Sequence, residues 1–354
     1  MDVVERVCGQ GVPSAVLLVA VDGRTVCEAV AGDAVQWADD RTPLPEGRRV
    51  RAGLATRYDL ASVSKLFTTV VVLRLVEEGL ADLDRPTAAY LPGFRAGGEV
   101  TLRMLLTHTA GLPPVAELWR IEGSREERID DLLSRPLVAR PGSVHAYSCV
   151  GFIIMGLLAE RVTGRRLEDL VAKIVTVPLG MTGTGYRPDA GEASRCAATE
   201  FQPETGRGMV QGVVHDEANW SLGGTAGNAG VFATGSDLLR FAEMVRCEGS
   251  VPGTGGQVLR PATVARMLEH QVAGGVATPF GQGWGFRLGD EAVMGTASHR
   301  TVGHSGFTGT SVVVDLDAGR STVLLTNAVH PRRGRIDLQP VRRMVMDEVR
   351  ARFR

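Results

Sequence analysis

The stretch "DLASVSKLFTT", residues 59–69, sets Ser62 three positions ahead of Lys65. A serine hydroxyl is a weak nucleophile until a neighbouring base takes its proton. Residues three apart on a helix share a face, so these two side chains can meet at a first helical turn. The positive end of that helix favours an alkoxide and disfavours a protonated lysine. Apolar neighbours such as Leu66 and Phe67 can lower an amine's pKa, which suits Lys65 to act as a base. Arginine cannot release its proton at any accessible pH. That contrast matters here, because 37 of the 39 basic residues are arginine and only Lys65 and Lys173 are lysine. A chain that uses arginine for ordinary charge keeps lysine where a proton must move. Ser64 is the poorer candidate, since adjacent helical residues point apart.

Two further groups follow in order: "YSC" at 147–149 and "HSG" at 304–306. Around them stand "LLTHTAGL" (105–112), "PLGMTGTGY" (178–186), "GGTAGNAGVFATGSDLLRF" (223–241), "GWGF" (283–286) and "LLTNAVHP" (324–331). From about residue 13 to 331 the chain thereby resembles the serine β-lactamase and penicillin-binding-protein superfamily. That superfamily carries S-x-x-K, then Y-x-N, then K-T-G or H-x-G. The likeness is to its branch of class C β-lactamases, D-alanyl-D-alanine carboxypeptidases and family VIII esterases.

The resemblance implies that Ser62 is the acylated nucleophile, Lys65 its base or proton partner, and Tyr147 the second acid/base. An ammonium beside a phenol favours the ionised phenol, so such a pair can share one proton. The backbone N–H groups of Ser62 and Phe307 would form the oxyanion hole. His304, Ser305 and Gly306 would line the substrate pocket, with His304 binding a carboxylate or polarising the site. Asn327 would contact an acidic substrate or serve a turn. His108 is expected to bond a backbone group within its own helix turn. "VHDE" (214–217) has no metal-ligand spacing and is expected to order a loop or line the cleft.

Cys149 breaks the pattern, standing where the family has asparagine. The lost carboxamide would donate to a substrate's acylamide and accept from the lysine; a thiol does both weakly. Amide and β-lactam substrates should suffer most, esters and thioesters least. The expected activity is therefore a serine hydrolase acting on an ester, thioester or small amide, with acyl transfer to another acceptor as the alternative. A β-lactamase or D,D-peptidase and a non-catalytic binding member stand behind these two.

The surrounding elements must bring 62, 147 and 304 together. "AVLLVAVDGRTVCEAVAG" reads as two strands about an Asp22-Gly23 turn. Apolar residues at 66, 70, 73 and 76 give a helix that stops at Gly79. Thr101 and Ser236 are candidate N-caps, residues 181–230 suggest long loops, and the last twenty residues form an amphipathic helix. Short strands return at "TVGHSGF", "TSVVVDLD" and "STVLLTNA". The expected class is α+β: an antiparallel sheet built from both chain ends and flanked by helices, with a mainly helical insertion. We expect residues 1–60 and 235–354 to form the sheet domain, 61–234 the insertion, and the site to lie between them.

Composition sets outer limits. With 354 residues, 22% charged and a net charge of −1, the chain has no basic stripe for nucleic acid. Its start lacks a secretory pattern, no stretch is long enough to span a bilayer, and the expected compartment is the cytoplasm. Five cysteines without a CxxC call for neither zinc nor a disulfide framework. The expected partner is a small-molecule acyl substrate, with no cofactor, nucleic acid or membrane. Oligomeric state stays open.

Overall fold

The computed structural model describes residues 3–353. Its scaffold is an eight-stranded sheet in which every neighbouring pair is antiparallel. Ser14–Val21 and Arg24–Val35 form the opening hairpin. Asp22 and Gly23 both take left-handed φ values, 47° and 81°, as a two-residue hairpin turn requires. Val50–Arg51 edges the sheet on that side. On its other side Ser14–Val21 pairs with Arg320–Thr326, followed by Ser311–Asp315, Thr301–Ser305, Arg287–Leu288 and Gly281–Gln282. The sheet thus joins strands from both ends of the chain.

Alternation along Ser14–Val21 shows how the faces are used. Val16, Leu18 and Ala20 enter the main core, while Ala15, Leu17 and Val19 enter a second cluster beneath the terminal helices. Val3–Gly9 and Leu338–Arg352 cover that second face, the latter burying Val341, Val345 and Val349 at four-residue spacing. Gly235–Arg246 packs on the other face. Its N-cap is Thr234, which accepts from the Asp237 N–H, rather than Ser236. Thr101 caps Leu102–Leu106 as its position suggests.

The helix after the Ser62 turn, Ser64–Glu77, buries more than the face its apolar spacing marks. Leu66, Phe67, Val70, Val71, Val72 and Leu73 are all fully buried, so every face is covered. It runs through the middle of the core against Cys149–Thr163. Each such side chain contributes about 1.5–3 kcal/mol by leaving water, which fixes this helix firmly under the site. Residues 181–230 are less irregular than their glycines suggest. They include a hairpin, Ala198–Gln202 with Gly208–Gln211, and a short helix, Glu217–Ser221. All five cysteines are free thiols. Among the described residues no helix is long and apolar enough to cross a membrane.

Candidate active site

The turn that carries Ser62 is held in an unfavourable shape. Ala61 has φ 46°, a left-handed conformation that costs an alanine about 1–2 kcal/mol. The buried Asp59 carboxylate offsets this by accepting the Ala61 N–H at 2.8 Å, and its second oxygen accepts that of His215 at 2.6 Å. From the far side the hydroxyls of Thr308 and Thr310 donate to the carbonyls of Asp59 and Leu60, at 2.7 and 2.9 Å. Ser62 is left half-buried in the turn Ala61–Val63, directly before the Ser64–Glu77 helix. Ser64 points away, its hydroxyl accepting the Val231 N–H.

Lys65 is fully buried and donates to three acceptors: Ser62 Oγ at 3.0 Å, the Asn228 carbonyl at 2.9 Å and Cys149 Sγ at 3.5 Å. Its Nζ also lies 5.0 Å from the centre of the Tyr147 ring. Burial alone lowers the pKa of this amine, as the sequence suggests. Its neighbours Cys149, Tyr147 and Asp216 act in the opposite direction, and the net shift is upward. That upward direction favours the ammonium, the form in which Lys65 would serve as the proton partner of Ser62. The other lysine, Lys173, is exposed on a wide helical turn and lines a surface groove with Arg74 and Arg165.

Tyr147 sits immediately before the Cys149–Thr163 helix, which Ser148 caps through the Gly151 N–H. The His108 side chain bonds outside its own turn. Its Nδ1 accepts the Ser148 N–H at 3.1 Å, and its ring stands 4.5 Å from that of Tyr147. Desolvation, then Lys65, hold its pKa well below the ordinary histidine value.

His304 occupies the Thr301–Ser305 strand opposite Val312 and is 1% exposed. Its Nδ1 donates to the Ser305 carbonyl at 2.8 Å, and desolvation, Arg287 and Lys65 keep it neutral. With Nδ1 donating to that carbonyl, the neutral imidazole has Nε2 left as a hydrogen-bond acceptor. The nearby cation is Arg287. Its guanidinium lies 5.7 Å from the Tyr147 ring and 5.0 Å from that of Phe280, and its buried Nε has no acceptor. Nothing in the sequence singles it out among 37 arginines.

Gly306 is required by contact. A Cβ there would collide with the Leu60 carbonyl oxygen and the Thr310 hydroxyl. The strand end and the Ser62 turn thus touch backbone to backbone. Ser305, half-buried beside it, pairs with Ser311. Among the described residues, neither the Ser62 N–H nor the Phe307 N–H donates to a protein acceptor.

Asn327 is a correction. It is 1% exposed and its carboxamide is saturated: Oδ1 accepts from the Ser14 N–H and hydroxyl, and Nδ2 donates to the carbonyls of Ala34 and Ala198. No valence remains for a substrate. His215, from "VHDE", pairs with Glu200 at 2.8 Å and stacks 5.6 Å from the Phe307 ring. Arg333 bridges Glu200 and Glu217 beside it. That loop is ordered by ion pairs, as expected. Asp59, Asn228 and Arg287 are the site residues the sequence reading lacks; of these only Asp59 had a signal, its place three residues ahead of Ser62.

The beta-lactamase family model matches residues 2–343. The chain belongs to the beta-lactamase family. A putative D-alanyl-D-alanine carboxypeptidase of Escherichia coli K12 is 32% identical, over 90% of this chain and 79% of that protein. Among solved structures, EstCE1, "a hydrolase with promiscuous acyltransferase activity", superposes with a TM-score of 0.73 at 25% identity, over 97% and 96% of the two chains. The octameric penicillin-binding protein homologue from Pyrococcus abyssi does so at 0.75 and 20% identity, over 99% and 76%, a likeness of fold. Beta-lactamase-family proteins are generally serine hydrolases, and the antiparallel sheet with its flanking helices is the fold these relatives share with this chain.

Proposed function

We propose that this protein is a serine hydrolase that forms an acyl-enzyme on Ser62 and acts on an ester, thioester or small amide. The observation that carries the reading is the 3.0 Å bond from the Lys65 ammonium to Ser62 Oγ, beside two unclaimed backbone donors. A substrate carbonyl oxygen accepts from the N–H groups of Ser62 and Phe307, which strengthen as negative charge develops. Acting as a phenolate paired with the Lys65 ammonium, Tyr147 takes the proton of Ser62 as the hydroxyl attacks and becomes a phenol. The same phenol then returns the proton to the leaving oxygen, sulfur or nitrogen. Water attacks the acyl-enzyme by the reverse route.

Cys149 supports the preference for esters and thioesters. Its thiol lies within reach of Lys65 and supplies no carboxamide for a substrate amide. A second reading, acyl transfer to a nucleophile other than water, is favoured by the likeness to EstCE1. It shares the acyl-enzyme and differs only in the acceptor.

Labelling with a fluorophosphonate and turnover of p-nitrophenyl butyrate test the proposal. Ser62→Ala should abolish both, since losing a nucleophile costs on the order of 10⁴-fold or more in kcat. A Ser62→Ala variant that keeps a tenth of wild-type activity would show that no acyl-enzyme forms there. Adding alcohols or amines to the assay separates transfer from hydrolysis by product.

A further inference from the structure

Arg342 grips the Gly306–Phe307 peptide from the C-terminal helix. Its Nη2 donates to the Gly306 carbonyl at 2.8 Å and to the Thr310 carbonyl at 3.3 Å. The residue is only 8% exposed, and among the described residues no carboxylate pairs with it. Its Nε is buried without an acceptor. Three other shielded arginines have counter-ions: Arg320 has Asp315, Arg246 has Glu243, and Arg287 has Asp290. Desolvation pushes the Arg342 guanidinium down to about 10, which still leaves it charged at neutral pH. An unpaired buried cation is unfavourable for folding, so its placement calls for a return elsewhere.

The carbonyl it holds belongs to the same amide as the Phe307 N–H. A peptide group is one conjugated unit, so a cation bonded to its oxygen draws density from its nitrogen and strengthens the N–H as a donor. The bond also fixes which way the N–H faces. The guanidinium then sits about 8 Å from a developing oxyanion, counted along the bonded atoms.

We propose that Arg342 is a positioning residue for acyl transfer, orienting and polarising the Gly306–Phe307 peptide so that the Phe307 N–H holds the oxyanion. This rests on the Ser62 acyl-enzyme reading above. The turn itself does not depend on Arg342. Gly306 N–H donates to the Thr310 carbonyl at 2.7 Å, and Gly309 N–H to the Gly306 carbonyl at 3.1 Å. Removing the arginine therefore takes away charge while leaving the turn closed.

The test compares Arg342→Met, Arg342→Gln and Arg342→Lys. For each, kcat and KM are measured for p-nitrophenyl butyrate, along with inhibition by phenylboronic acid, whose tetrahedral adduct on Ser62 puts an oxygen where the oxyanion forms. Arg342→Met should lower kcat and boronate affinity together by about 10- to 100-fold, with KM within about twofold. Arg342→Gln, which keeps a neutral donor, should lose less, and Arg342→Lys should recover most of the loss. A Met variant with wild-type kcat and boronate affinity overturns the proposal, as does a Lys variant no better than Met. Should the two neutral variants fail to fold, the Lys variant decides, because it must hold boronate affinity within about threefold. Ser62→Ala in the same assays keeps the two claims apart. Turnover surviving there sinks the acyl-enzyme reading, whereas a dead Ser62→Ala beside a fully active Arg342→Met sinks only the role of Arg342.

Discussion

His108 accepts the backbone N–H of Ser148 at Nδ1, 3.1 Å away, while its own carbonyl accepts that of Ala146 at 2.9 Å. The two bonds bracket Tyr147. A histidine that accepts at Nδ1 is neutral, so it sets the phenol's position without taking part in proton transfer. His108→Ala should lower kcat/KM for p-nitrophenyl esters by about 10- to 100-fold, the cost of misplacing a reacting group by about 1 Å. His108→Asn, which can still present an acceptor, should lose less. Steady-state kinetics on folded variants decide this, and an alanine variant within twofold of wild type would mean that other contacts hold Tyr147.

Lys65→Arg should be nearly as damaging as Lys65→Ala. The amine sits in a fully enclosed cell and serves three acceptors at once, a pattern that a planar guanidinium cannot copy in the same volume. Expected kcat values for both variants fall by about 10³-fold or more. Substantial activity in the arginine variant would reduce Lys65 to a generic positive charge.

Cys149→Asn restores a carboxamide beside Lys65. A hydrogen bond to a neutral amide contributes about 0.5–1.5 kcal/mol, so nitrocefin acylation should rise roughly three- to tenfold. Simple esters, having no acylamide, should change less. The ratio of kcat/KM for nitrocefin to that for a p-nitrophenyl ester, in wild type and variant, gives the answer. An unchanged ratio would detach Cys149 from amide discrimination.

Burial holds His108, His304 and His330 below the ordinary 6.5, His330 at about 4. Between these values and 6.5 the unfolded chain binds more protons than the folded one, so stability rises with pH there and is lost on acidification below about 6.5. His330 alone accounts for roughly 3 kcal/mol by pH 4. Asp59, whose carboxyl is raised by desolvation, acts in the opposite sense just above the usual carboxylate range. Tm should therefore be lower at pH 5 than at pH 7.5. A Tm that climbs on acidification would show these imidazoles to be charged.

The order of the three site motifs and the strand periodicity were legible because each rests on local spacing. Val16, Leu18 and Ala20 alternate with Ala15, Leu17 and Val19 whatever lies far away. What escaped was set by partners remote in the chain. Asn327 looks free at a strand end until Ser14, Ala34 and Ala198 close around it. Lys65 reads as a desolvated base until Tyr147 and Cys149 stand beside it. Arg287 has no pattern at all, since its value comes from the strand that happens to neighbour 301–305.

The pairing of Ser14–Val21 with Arg320–Thr326 has a consequence for how the chain is made. A ribosome adding about 5–20 residues per second delivers the second strand about 15–60 s after the first. Through that interval the opening hairpin has one bare edge, a template for strands of neighbouring nascent chains. The helical middle emerges meanwhile and can gather on Ser64–Glu77, yet Ser62 must wait for Thr308 and Thr310 to brace its turn. Ser62 thus lacks its braced turn until residue 310 has been translated, and the yield depends on what shields that edge in the meantime.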